Sequence, residues 1–263
     1  MVSEVRTLTV RLGIEFDGSA FHGWQVQPRD RTVQGEIEEA FQRVTGARVR
    51  IAGAGRTDSG CHAAGQVASA TLSTRLTPER LKAALNAHLP RDVRILEAAE
   101  AQPRFHARFL AMRRAYRYLI VSRPTALLRE RAWTRTLRAD LEDLRRATRP
   151  LLGAHDFTSF SKQGGDEVEM ECVVSRATWS RRGVVTRFDV EADRFLYTMV
   201  RRVVSSVVHA AEEGGGAREI RAALDARDRR GAMPPAPAHG LYLMRVRYPG
   251  VGWLPKERLD VAG

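Results

Sequence analysis

The chain has 263 residues, 43% of them hydrophobic, which is enough to bury one large core or two small ones without a metal or disulfide staple; this composition excludes a disordered segment and a stapled mini-fold. Its 43 Lys and Arg against 31 Asp and Glu give a formal charge of +12, and only Lys82, Lys162 and Lys256 interrupt the arginines. The planar guanidinium suits phosphate and base edges, so an RNA or DNA partner is the first expectation, against the plainer reading of a compositional bias toward arginine.

Cys61 and Cys172 are too few and too far apart for a disulfide framework or a zinc site. The start "MVSEVRTLTVRLG" has no apolar signal core, and no stretch reaches the ~18 apolar residues of a membrane span, so no membrane association and a reducing cytoplasm are expected.

Residues 7–18, "TLTVRLGIEFDG", alternate apolar and polar side chains and end in Asp-Gly, which predicts a strand. A helix follows from Thr32, with Val33, Ile37, Ala40, Phe41 and Val44 on one face and Gly46 as its stop. A short strand near 48–54, a glycine loop and a strand over 66–73 come next. "TPERLKAALNAHLP" then predicts a second helix with Thr77 as N-cap and Pro78 in its first turn, and "DVRILEAAEA" a closing strand. Element order is thus β-α-β-β-α-β, the ferredoxin-like unit.

The second half repeats that order without residue identity to the first: a strand over 115–122, a helix around 140–152, strands in "CVVSRATWS" and "VVTRFDVEA", a helix from about Phe195 to Ala211 and a strand over 241–248. An extra helix is expected near 217–228, a loop over 231–240 and a loosely held tail in the last dozen residues. The fold class is therefore α+β, two pseudo-symmetric ferredoxin-like halves (1–108 and 109–263) forming one continuous, mainly antiparallel sheet backed by helices. The open face of such a sheet suits RNA.

Between two of the strands lies "GAGRTDSGCHAAG", residues 53–65, which holds one carboxylate, Asp58, beside Arg56 and among glycines. Gly55 and Gly60 have P-loop separation, but Cys61 and His62 stand where the Lys and Ser or Thr are needed, so the loop is not expected to cradle ATP phosphates. Gly53 and Gly55 begin like a dinucleotide fingerprint, yet the next glycine is Gly60 and a strand follows. Thr57 and Cys61 occupy the glycine positions of a nucleophile elbow around Ser59. No second Asp or Glu lies within ten residues of Asp58, against a metal-hydrolysis site. On these residues alone Asp58-Ser59-Gly60 reads first as a plain turn.

The ordered run "GIEFDGSAFHGWQVQP" (13–28), "TVQGEIEEA" (32–40), "GAGRTDSGCHAAGQVA" (53–68), "LNAHLPRDV" (85–93), "RFHARF" (104–109), "AYRYLI" (115–120), "HDFTSF" (155–160), "FLYTMVRRVV" (195–204) and "AHGLYLMRVRYP" (238–249) resembles the TruA family of tRNA pseudouridine synthases over roughly residues 5–250. The resemblance implies an isomerase that converts uridines 38, 39 and 40 of the tRNA anticodon stem-loop to pseudouridine, with no metal and no nucleotide cofactor. It makes Asp58 the catalytic carboxylate, acting at C1′, at C2′ through a glycal, or at the base. It also assigns Arg201 as the cation that keeps Asp58 ionised, Arg56 as the residue that takes part in flipping and fills the vacated space, Tyr116 as the stacker on the target base and Leu241 as the pocket floor. By composition alone Tyr116 and Leu241 are ordinary strand packing, and Arg202 a solvated helix residue.

Four positions depart from the family: Thr198, where His or Asn is frequent; Ser205, where Gly is common; Cys61, where Val is usual; and Cys172, where many members have Arg. Two rival readings are a catalytically silent RNA-binding protein on the same fold and a metal-dependent nuclease using Asp58. A homodimer is expected, partly from the family and partly because two-fold pairing is the commonest closed symmetry, with apolar helix surface or the "FTSF" stretch (157–160) as its contact.

Overall fold

The computed structural model describes residues 5–164 and 169–262. The chain divides into two compact units, Met1–Met112 with Leu243–Gly263, and Arg113–Tyr242. Each is mixed α+β with mostly antiparallel strand pairing.

The first unit contains β1 (Arg6–Phe16), a 3-10 turn (Gly18–Ala20), α1 (Val33–Thr45), β2 (Ile51–Gly53), β3 (His62–Thr74), α2 (Pro78–His88) and β4 (Val93–Ala101). β1 runs antiparallel to both β3 and β4, with Leu12 opposite Ala68 on one side and Ala98 on the other. β2 pairs antiparallel with β3, Ile51 against Ala70. The helices start where the sequence places their caps. Thr32 Oγ1 accepts from the Gly35 amide and Thr77 Oγ1 from Arg80, each satisfying an amide that a helix end otherwise leaves orphaned. Their apolar faces, Ile37 and Phe41 of α1 and Leu81 and Leu85 of α2, are fully buried, as are Val10, Leu12 and Ile14 of β1. Burying side chains of this size stabilises the unit by about 1.5–3 kcal/mol each.

The second unit contains β5 (Arg113–Val121), β6 (Trp133–Thr134), α3 (Leu141–Thr148), β7 (Gly153–Asp156), β8 (Glu171–Arg182), β9 (Val185–Ala192), α4 (Met199–Glu212) and α5 (Gly216–Ala226). Its strands lie in the order β5-β9-β8-β7, all antiparallel, and β6 adds to β5 in parallel. Trp179 of β8 anchors the core: its ring packs on Phe188 at 4.7 Å, and its Nε1 donates to Thr148 Oγ1 of α3 at 2.8 Å. β10 (Leu241–Tyr248) carries the chain back to the first unit, where it lies beside β3, and β11 (Gly252–Leu254) pairs antiparallel with it.

Several expectations are corrected. The helix expected from Phe195 begins only at Met199, because the Asp193 carboxylate accepts the amides of Val173 (2.8 Å) and Arg194 (2.7 Å) and fixes the exit from β9. The helix expected to 152 ends at Thr148 and tightens into a 3-10 turn, Arg149–Leu151, at Pro150. β3 starts at His62 instead of 66, and β2 is only three residues long. The short strands β6, β7 and β11 were not expected, and β11 ties part of the supposedly loose tail to β10. Phe157 and Phe160 of "FTSF" are fully buried, so they offer no surface for pairing two copies.

Candidate active site

Asp58 sits half-buried in the loop between β2 and β3, with Arg56 exposed and Thr57 buried beside it. The Cys61 amide closes a turn onto the Asp58 carbonyl at 3.1 Å, and Gly60, at φ +77°, takes the position that such a turn reserves for glycine. Gln66 Nε2 holds the Gly55 carbonyl at 2.8 Å, and the Ala54 amide bonds the Val67 carbonyl at 2.7 Å.

A second segment, residues 17–24, supports the loop from the side. The Trp24 amide donates to the Thr57 carbonyl at 3.1 Å; the Gly60 amide and the Ser59 hydroxyl both donate to the Phe21 carbonyl at 3.2 Å. Gly23 lies at φ +90°, and a β-carbon there would stand 2.7 Å from the Thr57 carbonyl oxygen. Gly53 lies under the Trp24 indole in the same way: a β-carbon there would stand 2.5 Å from the nearest ring atom. This segment is itself clamped. Arg31 makes a bidentate pair with Asp92 (2.7 and 3.0 Å), bonds Glu36 at 2.7 Å and covers the Phe21 ring at 4.1 Å. The hydrogen bonds to Asp92 raise its pKa above the ordinary arginine value. At the loop exit the buried His62 accepts the Gly18 amide on Nδ1 at 3.0 Å, with the Asp17 carboxylate 3.2 Å from the same nitrogen.

The other three residues singled out from the sequence belong to the second unit. Tyr116 of β5 is only 8% exposed, and its ring meets Phe195 edge-on at 4.9 Å. Leu241, the first residue of β10, is 7% exposed. Arg201 occupies the first turn of α4, where Nε donates to the Ala236 carbonyl at 2.7 Å while its own carbonyl accepts the Ala236 amide at 3.1 Å. Arg56 and Asp58 therefore share one loop, and Tyr116, Arg201 and Leu241 one compact unit.

Two of the departures, Ser205 and Thr198, acquire a physical account, and at Cys61 the structure shows a role for the backbone only. Ser205 Oγ donates to the Pro234 carbonyl at 2.6 Å and so helps hold segment 233–236 along α4, a bond that glycine cannot make. The Cys61 carbonyl fills the space next to Gly18, 1.9 Å from where a β-carbon would be. Thr198 stands at φ +61°, ψ +3°, a left-handed conformation that strains a β-branched side chain, and its hydroxyl is buried with no partner among the described residues. Asn accepts that conformation far better. Thr198→Asn should therefore raise the melting temperature by about 2–4 °C, the equivalent of ~1 kcal/mol in a chain of this size; a lower melting temperature in differential scanning calorimetry would show that the strain is not relieved. Arg202 corrects the expectation of a solvated residue: it is half-buried, donates through Nη1 to the Arg229 carbonyl at 2.9 Å, and has its pKa lowered by that burial and by Arg229.

Sequence reasoning missed the supporting residues Gly23, Trp24 and Arg31. The only signal was the Gly-Trp pair inside "FHGWQ". Among the described residues no group of three or more His, Cys, Asp or Glu is placed to hold a metal ion, and no helix is long and apolar enough to cross a membrane.

A family model described as tRNA pseudouridine synthase matches residues 13–110 and 147–249. Curated relatives named tRNA pseudouridine synthase A align with nearly the whole chain. That of Moorella thermoacetica is 42% identical over 243 residues, covering 91% of this chain and 99% of its own. Those of Agrobacterium fabrum and Chlorobaculum tepidum are 41% and 40% identical over 246 and 245 residues, covering 92% and 98% of their own lengths. The protein is an isomerase. It belongs to the tRNA pseudouridine synthase family.

Proposed function

We propose that the protein converts uridine to pseudouridine at positions 38, 39 and 40 of the tRNA anticodon stem-loop, with Asp58 as the essential carboxylate and with neither metal nor nucleotide cofactor. The observation that carries this reading is the G-R-T-D-S-G-C-H loop, braced on two sides around Asp58 in a chain of this family. The reaction breaks the N1–C1′ bond, turns the uracil and rejoins it through C5, so atoms and electrons balance within the substrate and no co-reactant is consumed. An ionised carboxylate serves it by attack at C1′, by removing the C2′ proton, or by attack at the base.

Eversion of a stacked nucleotide costs a few kcal/mol. Arg56, exposed two residues before Asp58, is proposed to fill the space left behind. Tyr116 is proposed to stack on the target base, Leu241 to form the pocket floor and Arg201 to hold Asp58 in its charged form. In the first unit the strand order β4-β1-β3 with β2 on β3 supports a ferredoxin-like half, and we take residues 1–108 and 109–263 as two such pseudo-symmetric halves. We further propose a cytoplasmic homodimer in which one protomer holds the body of the tRNA while the other acts on its stem-loop.

Unmodified tRNA incubated with the protein alone should gain pseudouridine while staying uncut and unchanged in mass, with the same yield in EDTA. Cleaved RNA whose cleavage EDTA abolishes would point to a metal-dependent nuclease, and pseudouridine formation lost on chelation would overturn the metal-free reading. Binding without conversion would leave the silent RNA-binding reading.

A further inference from the structure

The loop between β4 and β5 presents an aromatic ring to solvent on a rigid mount. Phe109 is 77% exposed, the most exposed aromatic side chain among the described residues, and Leu110 and Met112 beside it are also exposed. The loop under them is held firmly. His106 Nδ1 accepts the amides of Arg108 (3.2 Å) and Phe109 (3.4 Å), and the Leu110 amide bonds the His106 carbonyl at 3.1 Å. Ala107 is fully buried, its amide donating to Ser69 Oγ of β3 at 3.1 Å and its carbonyl accepting the Tyr248 hydroxyl at 2.7 Å. The Met112 amide donates to the Arg247 carbonyl at 2.8 Å.

The His106 imidazole stacks on one face of Phe109, with centroids 4.3 Å apart and planes at 30°. With 77% of the residue in water, the opposite ring face is left uncovered. Arg104 and Arg108, both exposed, precede Phe109 in sequence. A ring open on one face, stiffened by its own stacking partner and preceded in sequence by exposed arginines on a chain of charge +12, has the composition that single-stranded RNA recognition uses: a π-face for a base and cations for its phosphates. A net charge of +12 favours a polyanion, and RNA offers phosphates and base faces together.

We infer that Phe109 is a stacking platform for one unpaired base of the RNA substrate, away from the catalytic loop in sequence and sandwiching that base against the His106-backed ring. The inference rests on the reading of the chain as an enzyme acting on RNA. Mounting the ring in advance lowers the ordering cost of binding, because loop and side chain are already fixed.

The test compares the dissociation constant of an unmodified tRNA transcript for the wild type and for Phe109→Ala, Phe109→Leu and Phe109→Trp at one salt concentration, with sedimentation of each RNA-free protein. Stacking predicts that Ala and Leu each weaken binding about tenfold, the share one stacked base carries. Trp should bind like the wild type and add fluorescence that the RNA quenches. Binding of the Ala variant within twofold of wild type, or Leu serving as well as Phe, would overturn the inference. So would a change in association state with the Ala and Leu variants, which would assign the surface to a second copy of the chain. A wild type that binds tRNA but makes no pseudouridine, with the Phe109 pattern intact, would defeat the proposed function alone; conversion with an unmoved Phe109 pattern would defeat this inference alone.

Discussion

Asp58→Asn should abolish pseudouridine formation, by at least about a thousandfold, which corresponds to ~4 kcal/mol of lost transition-state stabilisation. The amide is nearly isosteric with the carboxylate but is neither nucleophilic nor basic, so it forfeits all three routes open to Asp58 at once. Little else should change. The substitution leaves in place the backbone bonds that brace the loop, the Cys61 amide on the Asp58 carbonyl, the Trp24 amide on Thr57 and the Gly60 amide on Phe21. Affinity for tRNA should therefore stay within about threefold of wild type, since 1.4 kcal/mol would be needed for tenfold. Single-turnover conversion and filter binding on the same preparation read both quantities. Residual turnover within about tenfold of wild type would remove Asp58 from the catalytic role.

The second large effect falls on a residue that carries no chemistry. Gly23→Ala should destabilise the protein by about 2–4 kcal/mol, since it combines a strained backbone with overpacking against a backbone group. At φ +90° an alanine is disfavoured, and its β-carbon would stand 2.7 Å from the Thr57 carbonyl and 3.3 Å from both the Asp58 carbonyl carbon and the Ser59 nitrogen. Backbone does not swing aside as a long side chain does, so the loop must shift as a unit. A displacement of ~1 Å at a reacting group costs on the order of a hundredfold in rate. The variant should thus lose both melting temperature and turnover, and the turnover loss should persist at temperatures where circular dichroism shows it folded. A folded Gly23→Ala with wild-type kcat would mean that the bracing by residues 17–24 does not position Asp58.

What could be read from the sequence follows the range of the interactions concerned. α1 and α2 were legible to within a residue or two because their caps are local: Thr32 and Thr77 bond amides three residues on. The start of α4 was not, because Asp193 reaches back twenty residues to the Val173 amide and Thr198 takes a left-handed conformation that no periodicity announces. The buried state of Phe157 and Phe160 was equally hidden, since a short aromatic run reads the same on a surface as in a core. At the candidate site, Asp58 stood out through its motif. Its supports did not, because Gly23 and Trp24 touch the loop across more than thirty residues of chain. Arg31 looked like any surface arginine until Asp92, Glu36 and Phe21 were seen around it. Ser205 and Thr198 show the converse: they were visible as departures, but their consequences depend on a neighbouring segment and on a backbone angle.

The most direct measurement is mass-shift mapping of pseudouridine in anticodon stem-loop transcripts that carry uridine at position 38, 39 or 40 alone, each incubated with the purified protein and EDTA and with the Asp58→Asn protein as the blank. The account predicts labelled pseudouridine at one or more of these three positions with the wild type and none with the variant. Wild-type protein that leaves all three uridines unlabelled on RNA it demonstrably binds, or Asp58→Asn protein that labels them as well as wild type, would contradict it.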